Sequence, residues 1–250
     1  MVPAMERGAG ISLNFGWSPP AIGSLHLTYR LPESARRKLI EVRTLYDYTI
    51  PLIEIMESLP PNENVILVGH SLGGVNLALA MDKYPQKISV AVFLSAFMPD
   101  TIHEPSYVLN QYCERTPAES WLDTQFSSYG TSNEPLTSMF FGPKFLSAKL
   151  YQLCSAEDLE LARALIRPGS LFLEDLCKAK KFSNEGYGSV SRVYVICNED
   201  KAIPEEFQRW LIENSPVKEV KEIKDADHMP MFSKPRELCQ CLMDIAHKHT

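Results

Sequence analysis

The chain has 250 residues and a formal net charge of −6, with 25 Lys and Arg residues against 31 Asp and Glu residues. This acidic balance provides no basic surface of the kind that binds nucleic acid or anionic membranes. The length suits a single α/β domain with an insertion and a substantial buried core. We therefore expect a small-molecule ligand, with no nucleic-acid or membrane partner.

Cysteine spacing and apolar runs indicate the compartment. The six cysteines include no C-x-x-C pair and no zinc-type spacing to histidine, which favours thiols in a reducing environment. No apolar run approaches the roughly 20 residues that a membrane-spanning helix needs. Residues 1–10 also lack the apolar core of a signal peptide. We expect a cytoplasmic protein, and the sequence leaves a homodimer open.

Helical and strand-like segments alternate along the chain. Apolar spacing predicts a helix at 44–60, and continuous apolar runs predict buried strands at 64–69, 88–96 and 192–200. A more polar strand at 217–227 suits a sheet edge. Strands separated by helices predict an α/β fold with a mostly parallel, doubly wound sheet.

Between residues 97 and 185 aromatic and methionine side chains become frequent, and no parallel-strand pattern is evident. We interpret residues 104–184 as a cap inserted over the carboxyl edge of the sheet, where ligands bind in open α/β folds. The domain prediction is one α/β-hydrolase domain over 1–250 with this cap.

A G-x-S-x-G sequence, GHSLG at 69–73, separates the strand 64–69 from a predicted helix that Pro85 ends. A nucleophile elbow needs this context of a buried strand, a tight glycine-containing turn and a helix behind it. The N terminus of that helix offers N–H groups to a developing oxyanion. Ser71 is therefore the candidate nucleophile.

A serine nucleophile requires a histidine base. In α/β-hydrolases the nucleophile, the acid and the histidine follow one another in that order along the chain. His228 fits, because it lies in the loop after the last predicted strand. The other five histidines lie in the elbow, ahead of the predicted core, at the start of the cap or in a C-terminal helix: His70, His26, His103, His247 and His249.

The acid that orients this histidine is predicted to be Asp200, which ends the strand 192–200 at the carboxyl edge of the sheet. Glu199 points to the opposite side because side chains alternate along a strand. Asp225 and Asp227 are alternatives, although both are too close in sequence to His228 to orient its Nδ1 easily.

Eight segments between residues 38 and 250 resemble the plant methylesterase and hydroxynitrile lyase family of α/β-hydrolases, closest to its salicylic-acid-binding methyl salicylate esterase type. They include VILVGHSLGG, YPQKISVAVFLSAFMPD, VICNEDKAIPEEFQRW and DADHMPMFSKP. The resemblance implies the same triad of Ser71, Asp200 and His228, and an oxyanion-binding N–H at Leu72. It also implies an apolar substrate pocket lined by Trp121, Phe126, Met139, Leu171 and Met229.

Within this family the sequence favours the esterase. Lyase members carry a lysine directly after the catalytic histidine, where this chain has Met229, and a polar elbow with cysteine, where this chain has HSLGG. We expect hydrolysis of small plant-hormone methyl esters (methyl salicylate, methyl jasmonate or methyl indole-3-acetate) without a metal or organic cofactor. The alternatives are a hydroxynitrile lyase and a non-catalytic protein that binds salicylate or another hormone on the same scaffold.

Residues 1–36 do not resemble the family. Family members begin with a strand, an H-G-A-C-H-G-A-W-C-W-Y-type loop that supplies a second oxyanion N–H, a helix and a further strand. If each codon is read from its third base, MVPAMERGAG permits G-A-C-H-G-A-W-C-W, and AIGSLHLTYRLPES permits Y-R-V-T-A-L-D-L-P-A-S-G-I. We hypothesise that residues 1 to about 35 are an out-of-frame translation, with the frame regained before RRKLIEVRTL, which begins at residue 36.

This hypothesis predicts low solubility and little activity for the chain as printed, because the second oxyanion donor and a sheet strand would be lost. One such donor is worth on the order of 10²–10³ in rate. A version with the frame restored should be a competent esterase. Transcript sequencing and parallel assays of the two versions test this prediction. A continuous message encoding residues 1–10 in frame with Ser71, or equal activity of the two versions, would contradict it.

Overall fold

The computed structural model describes residues 42–249. Within this range the strands are β1 (Val65–Ser71), β2 (Ile88–Ala96), β3 (Gln125–Thr131), β4 (Glu134–Phe140), β5 (Arg192–Cys197) and β6 (Glu219–Ile223). Four of them form one sheet in the order β1-β2-β5-β6, with every neighbouring pair parallel. The predicted α/β fold with a mostly parallel sheet is confirmed.

Helices connect and cover these strands. Within residues 42–249 the α-helices are α1 (Leu45–Ser58), α2 (Gly73–Lys83), α3 (Tyr107–Arg115), α4 (Pro143–Phe145), α5 (Ala156–Leu165), α6 (Leu173–Leu176), α7 (Glu205–Asn214), α8 (Pro230–Ser233) and α9 (Pro235–His249). A capping box starts α1, because Thr44 Oγ1 accepts from the Asp47 N–H at 3.0 Å and Asp47 Oδ2 accepts from the Thr44 N–H at 3.1 Å. Such a cap stabilises a helix by about 1 kcal/mol.

Burial of the strands follows their place in the sheet. β2 and β5 have neighbours on both sides, and their Val92, Phe93 and Val195 side chains are fully buried. β1 was predicted to be a buried strand, yet Val68 in its middle is 46% exposed. The difference arises because β1 lies at an edge of the sheet that residues 42–249 form.

Two predicted strands are shorter than expected. β5 ends at Cys197, because the Asp200 N–H turns back to the Cys197 carbonyl at 3.3 Å. β6 covers only Glu219–Ile223, and it forms the other edge of the described sheet, as predicted. The shortening leaves Asp200 and His228 in loops beyond the carboxyl ends of their strands.

The inserted segment forms no strand of the main sheet. Its β3 and β4 pair antiparallel, from Gln125 opposite Phe140 to Thr131 opposite Glu134. This hairpin was not predicted. The segment contacts the loop after β5, where the Tyr112 hydroxyl donates to the Ala202 carbonyl at 2.6 Å, and the loop after β6, where the Leu153 N–H donates to Asp227 Oδ2 at 2.9 Å. The predicted limits of the cap, 104–184, and the single-domain interpretation stay predictions.

The predictions for residues 1–36 lie outside the described residues. All six cysteines lie within the described residues 42–249, and none of them forms a disulfide. No helix in the range 42–249 combines the length and the apolar character that crossing a membrane requires. The cytoplasmic location and the homodimer stay predictions.

Candidate active site

The turn between β1 and α2 holds Ser71 in a strained conformation. Its φ of 57° lies in the left-handed region, which is uncommon for residues other than glycine and costs on the order of 1–3 kcal/mol. The β1–β2 register shifts between His70 and Ser71, and the Phe97 N–H binds the Ser71 carbonyl at 3.1 Å. A strained serine between a strand and a helix is the geometry of a nucleophile elbow.

The turn requires glycine at positions 69 and 74, whereas the glycines of the G-x-S-x-G motif are at 69 and 73. A Cβ added at Gly69 would lie 2.7 Å from the Gly73 carbonyl oxygen, and one at Gly74 would lie 2.1 Å from the Phe97 carbonyl oxygen. Both contacts are with backbone atoms, so neither position accepts a larger residue. At Gly73, the last glycine of the motif, no atom of the described residues lies within 4 Å of an added Cβ.

Leu72 is the N-cap residue of α2, so its N–H belongs to the first four of the helix, which have no acceptor inside it. The Leu72 N–H, directly after the elbow serine, therefore lies at the N-terminal end of α2, where the helix dipole favours negative charge. This placement is the one that the predicted oxyanion role requires. The role itself stays a prediction.

Asp200 and His228 are in direct contact. Asp200 Oδ2 lies 2.6 Å from His228 Nδ1, and each residue is only 4% exposed. Asp200 Oδ1 accepts from the N–H groups of Ala202 and Ile203 at 2.7 and 2.8 Å, and the Ser95 hydroxyl donates to Oδ2. Donors on both oxygens fix the carboxylate. A carboxylate at Nδ1 holds the proton there and leaves the Nε2 lone pair free to accept one.

The rival acids point elsewhere. Asp227 Oδ1 accepts from the Met229 N–H and the Ser233 hydroxyl, and its Oδ2 accepts from the Leu153 N–H at 2.9 Å. This carboxylate therefore ties the loop before α8 to the inserted segment. Asp225 is exposed, and its nearest cation is Lys234 at 4.0 Å. Glu199 is exposed as well.

His70 packs directly on the candidate base. The two ring centroids are 4.6 Å apart, and His70 Nε2 donates to the His228 carbonyl at 2.6 Å. Burial and the nearby His228 lower the pKa of His70 to about 3. His70 is therefore neutral at physiological pH and holds the backbone of His228.

The remaining histidines lie elsewhere. His103 binds Asp100 through Nδ1 at 2.7 Å and stacks on Tyr107 at 3.9 Å. His247 and His249 lie in the last turn of α9. His26 is outside the described residues.

Three of the predicted pocket residues are brought together by the hairpin. Phe126 and Met139 face each other across β3 and β4, and the Phe126 ring lies 5.3 Å from that of Trp121. Trp121 also stacks on Phe145 at 6.1 Å. Phe126 is 49% exposed, so this aromatic group is only partly covered by its neighbours.

The other two predicted pocket residues, Met229 and Leu171, pack against two different apolar clusters. Met229, next to His228, packs against the apolar cluster of Phe145, Leu146, Leu150 and Ala202, as Trp121 does. Leu171 packs against the main core below α6. Trp121 and Met229 thus share the cluster around Phe145, a residue that the sequence analysis did not select as a site residue. Its stacking on Phe141 at 4.6 Å fixes it in place.

One groove is separate from all of these residues. It encloses about 500 Å³ between α3 and α7 and is lined by Tyr112, Arg115, Thr116, Pro204, Glu206, Phe207, Arg209, Trp210 and Glu213. Arg115 lies over the Trp210 ring at 4.3 Å. None of the predicted site residues lines it.

Ser95 is the contact that sequence reasoning missed. It is fully buried at the end of β2, and its hydroxyl reaches the carboxylate of Asp200. The run ISVAVFLSA contains two polar residues, Ser89 and Ser95, and the available indication was that Ser95 lies at the carboxyl end of the strand between those of Ser71 and Asp200.

The fold and the site define the class of protein. A family model described as the alpha/beta hydrolase family matches residues 11–240, and the chain belongs to this family. Within it the chain groups with plant esterases and methylesterases. It is 68% identical over 213 residues to salicylic acid-binding protein 2 of Nicotiana tabacum, which covers 85% of this chain and 82% of that protein.

Two further relatives support this placement. Methylesterase 1 of Arabidopsis thaliana is 56% identical over 212 residues, covering 85% of this chain and 80% of that protein. The crystal structure of polyneuridine aldehyde esterase, a Rauvolfia serpentina protein, superposes with a TM-score of 0.83 at 57% identity, covering 85% of this chain and 83% of that one. The expected family and the enzyme class, a serine esterase, are confirmed at this level.

Proposed function

We propose that this chain hydrolyses small plant-hormone methyl esters by a Ser-His-Asp mechanism. The observation that carries the proposal is the buried contact between Asp200 and His228 at the carboxyl edge of the sheet that also ends in the Ser71 elbow. The names of relatives, a methylesterase and a salicylic acid-binding protein, support the substrate class. Methyl salicylate, methyl jasmonate and methyl indole-3-acetate are the candidate substrates.

In the first half of the reaction, Nε2 of His228 accepts the Ser71 hydroxyl proton as the oxygen attacks the ester carbonyl. Asp200 stabilises the imidazolium that results. The Leu72 N–H, at the start of α2, binds the developing oxyanion. Methanol leaves with the proton from His228, and an acyl-enzyme on Ser71 remains.

In the second half, water attacks the acyl-enzyme while His228 accepts its proton. Collapse of the tetrahedral intermediate returns the proton to Ser71 and releases the free acid. The aromatic group of Trp121 and Phe126 offers apolar surface to a flat acyl group. No step calls for a metal or an organic cofactor.

The proposal is tested with a panel of the three methyl esters, assayed by release of the free acid, beside binding of salicylate measured calorimetrically. Both the chain as printed and the restored-frame version are assayed. Saturable hydrolysis of at least one ester supports the esterase. Binding of salicylate without turnover of any ester by either version would instead support the hormone-binding alternative.

The lyase alternative makes the opposite prediction for cyanohydrins. Met229 follows His228 and provides no cation where cyanide would leave, so the protein should release no cyanide from mandelonitrile above the background rate. A cyanide electrode measures this directly. Saturable release of cyanide that Ser71→Ala abolishes would overturn the choice of esterase.

A further inference from the structure

Ser95 occupies an unusual place in β2. It is completely buried, and its φ of 38° places it in the left-handed region. Its hydroxyl donates to Oδ2 of Asp200, the oxygen that also faces Nδ1 of His228. Ser95 therefore contacts the carboxylate of Asp200, the acid of the triad. The two residues are distant in the sequence, because Ser95 lies on β2 and Asp200 follows β5.

The backbone after Ser95 is held by a tyrosine. The β2–β5 pairing ends at Leu94 opposite Val195, and beyond it the Tyr194 hydroxyl donates to the Ala96 carbonyl at 2.9 Å and lies 3.1 Å from the Ala96 N–H. Tyr194 is itself fully buried. A strained residue persists only where its surroundings over-determine it, and these contacts do so.

Four titratable groups around the pair of Asp200 and His228 carry no charge near pH 7. Burial lowers the pKa of His70 and raises those of Tyr112, Tyr194 and Cys197, so all four are neutral near pH 7. Asp227, beside His228 in the chain, is bound by Leu153, Met229 and Ser233.

The imidazolium that forms on His228 during the reaction faces Oδ2 of Asp200, so the charge on that oxygen determines how strongly the imidazolium is stabilised. A second donor on that oxygen shares its negative charge and weakens the attraction.

We propose that Ser95 is a positioning residue of the esterase, whose hydroxyl fixes the Asp200 carboxylate against His228 and limits its pull on the imidazolium. The inference rests on the proposed function. Without the hydroxyl, the carboxylate is less well oriented and His228 stays protonated to higher pH. Since a protonated His228 cannot accept the Ser71 proton, the enzyme would lose activity at the acid end of its range.

Two variants separate the hydroxyl from the backbone strain. Ser95→Ala removes the hydroxyl and keeps the Cβ, whereas Ser95→Gly removes the hydroxyl and also relieves the left-handed conformation. Both should lower kcat about tenfold, the scale of one hydrogen bond to a charged group. In both, the acid limb of the kcat/KM profile should move to higher pH, a change that a purely structural role would not cause.

Ser215→Ala is the matched control, because Ser215 is also buried but lies next to Tyr187, away from Asp200. It should leave kcat and the pH profile unchanged. Thermal unfolding of all three variants shows whether each is folded.

An NMR titration of the His228 ring, assigned with His228→Gln, separates this inference from the proposed function. It needs no substrate, so it reads the ionisation of His228 even if no methyl ester is hydrolysed. A midpoint that moves to higher pH in Ser95→Ala and Ser95→Gly supports the positioning role. Folded variants with the wild-type titration, and with wild-type kcat where esters turn over, would overturn it.

Discussion

Ser71→Ala should lower kcat for methyl esters and for an activated aryl acetate by about 10⁶-fold, because it removes the nucleophile on which both half-reactions depend. Binding of salicylate should remain largely intact, since the residues of the predicted apolar pocket are unchanged. Initial rates of acid release, with binding followed by calorimetry, measure the two effects separately.

Ser58→Ala is the matched control, because Ser58 is exposed at the end of α1 and donates only to the Ile55 carbonyl at 2.8 Å. It should have wild-type activity. Near-wild-type turnover by Ser71→Ala would show that the nucleophile has been wrongly assigned.

Asp200→Asn should lower kcat by about 10⁴-fold. With the amide oxygen kept on the Ala202 and Ile203 N–H groups, the amide NH₂ would face Nδ1 of His228. A donor at Nδ1 favours the tautomer with its proton on Nε2, which cannot accept a proton from Ser71. Initial rates of ester hydrolysis by the variant and the wild type, compared at several pH values, measure the loss.

Asp225→Asn provides the comparison for this variant. Asp225 is close to His228 in sequence but its side chain is 78% exposed, and asparagine tolerates its left-handed φ of 53°. It should keep wild-type activity. A large loss in Asp225→Asn together with a small one in Asp200→Asn would reverse the assignment of the acid.

The contacts of Asp200 and His228 could be anticipated because parallel strands end at one edge of a sheet. Once the strands before Ser71, Asp200 and His228 were recognised, their order along the chain brought the three loops to that edge. The preference for Asp200 over Asp227 stays a prediction, and in the structure the Asp227 carboxylate bonds to Leu153 and Ser233 instead of His228.

Other features depend on contacts that periodicity does not encode. Ser95 has a left-handed conformation, and the backbone of Ala96 directly after it is held by Tyr194, which lies 98 residues further along the chain on the neighbouring strand. The close approach of Gly74 to the Phe97 carbonyl is set by packing of α2 on β2. The β3–β4 hairpin contains Gly130 and few branched residues, so its sequence does not read as strand.

The exposure of Val68 is a further feature that the periodicity of the sequence does not encode. Its neighbours in sequence predict a strand covered on both faces, but burial depends on which elements lie beside β1. Covering elements are a property of the whole fold, and an apolar run alone does not specify them.

The most direct test of the central claim is to follow the pre-steady-state reaction with 4-nitrophenyl acetate and map the acetylated peptide by mass spectrometry. We expect a burst of nitrophenolate equal to the concentration of active enzyme, with the acetyl group on Ser71. Slower deacylation then sets the steady-state rate. Ester turnover without a burst and without acetyl on Ser71, or an acetyl group on another residue that turns over at the steady-state rate, would contradict it.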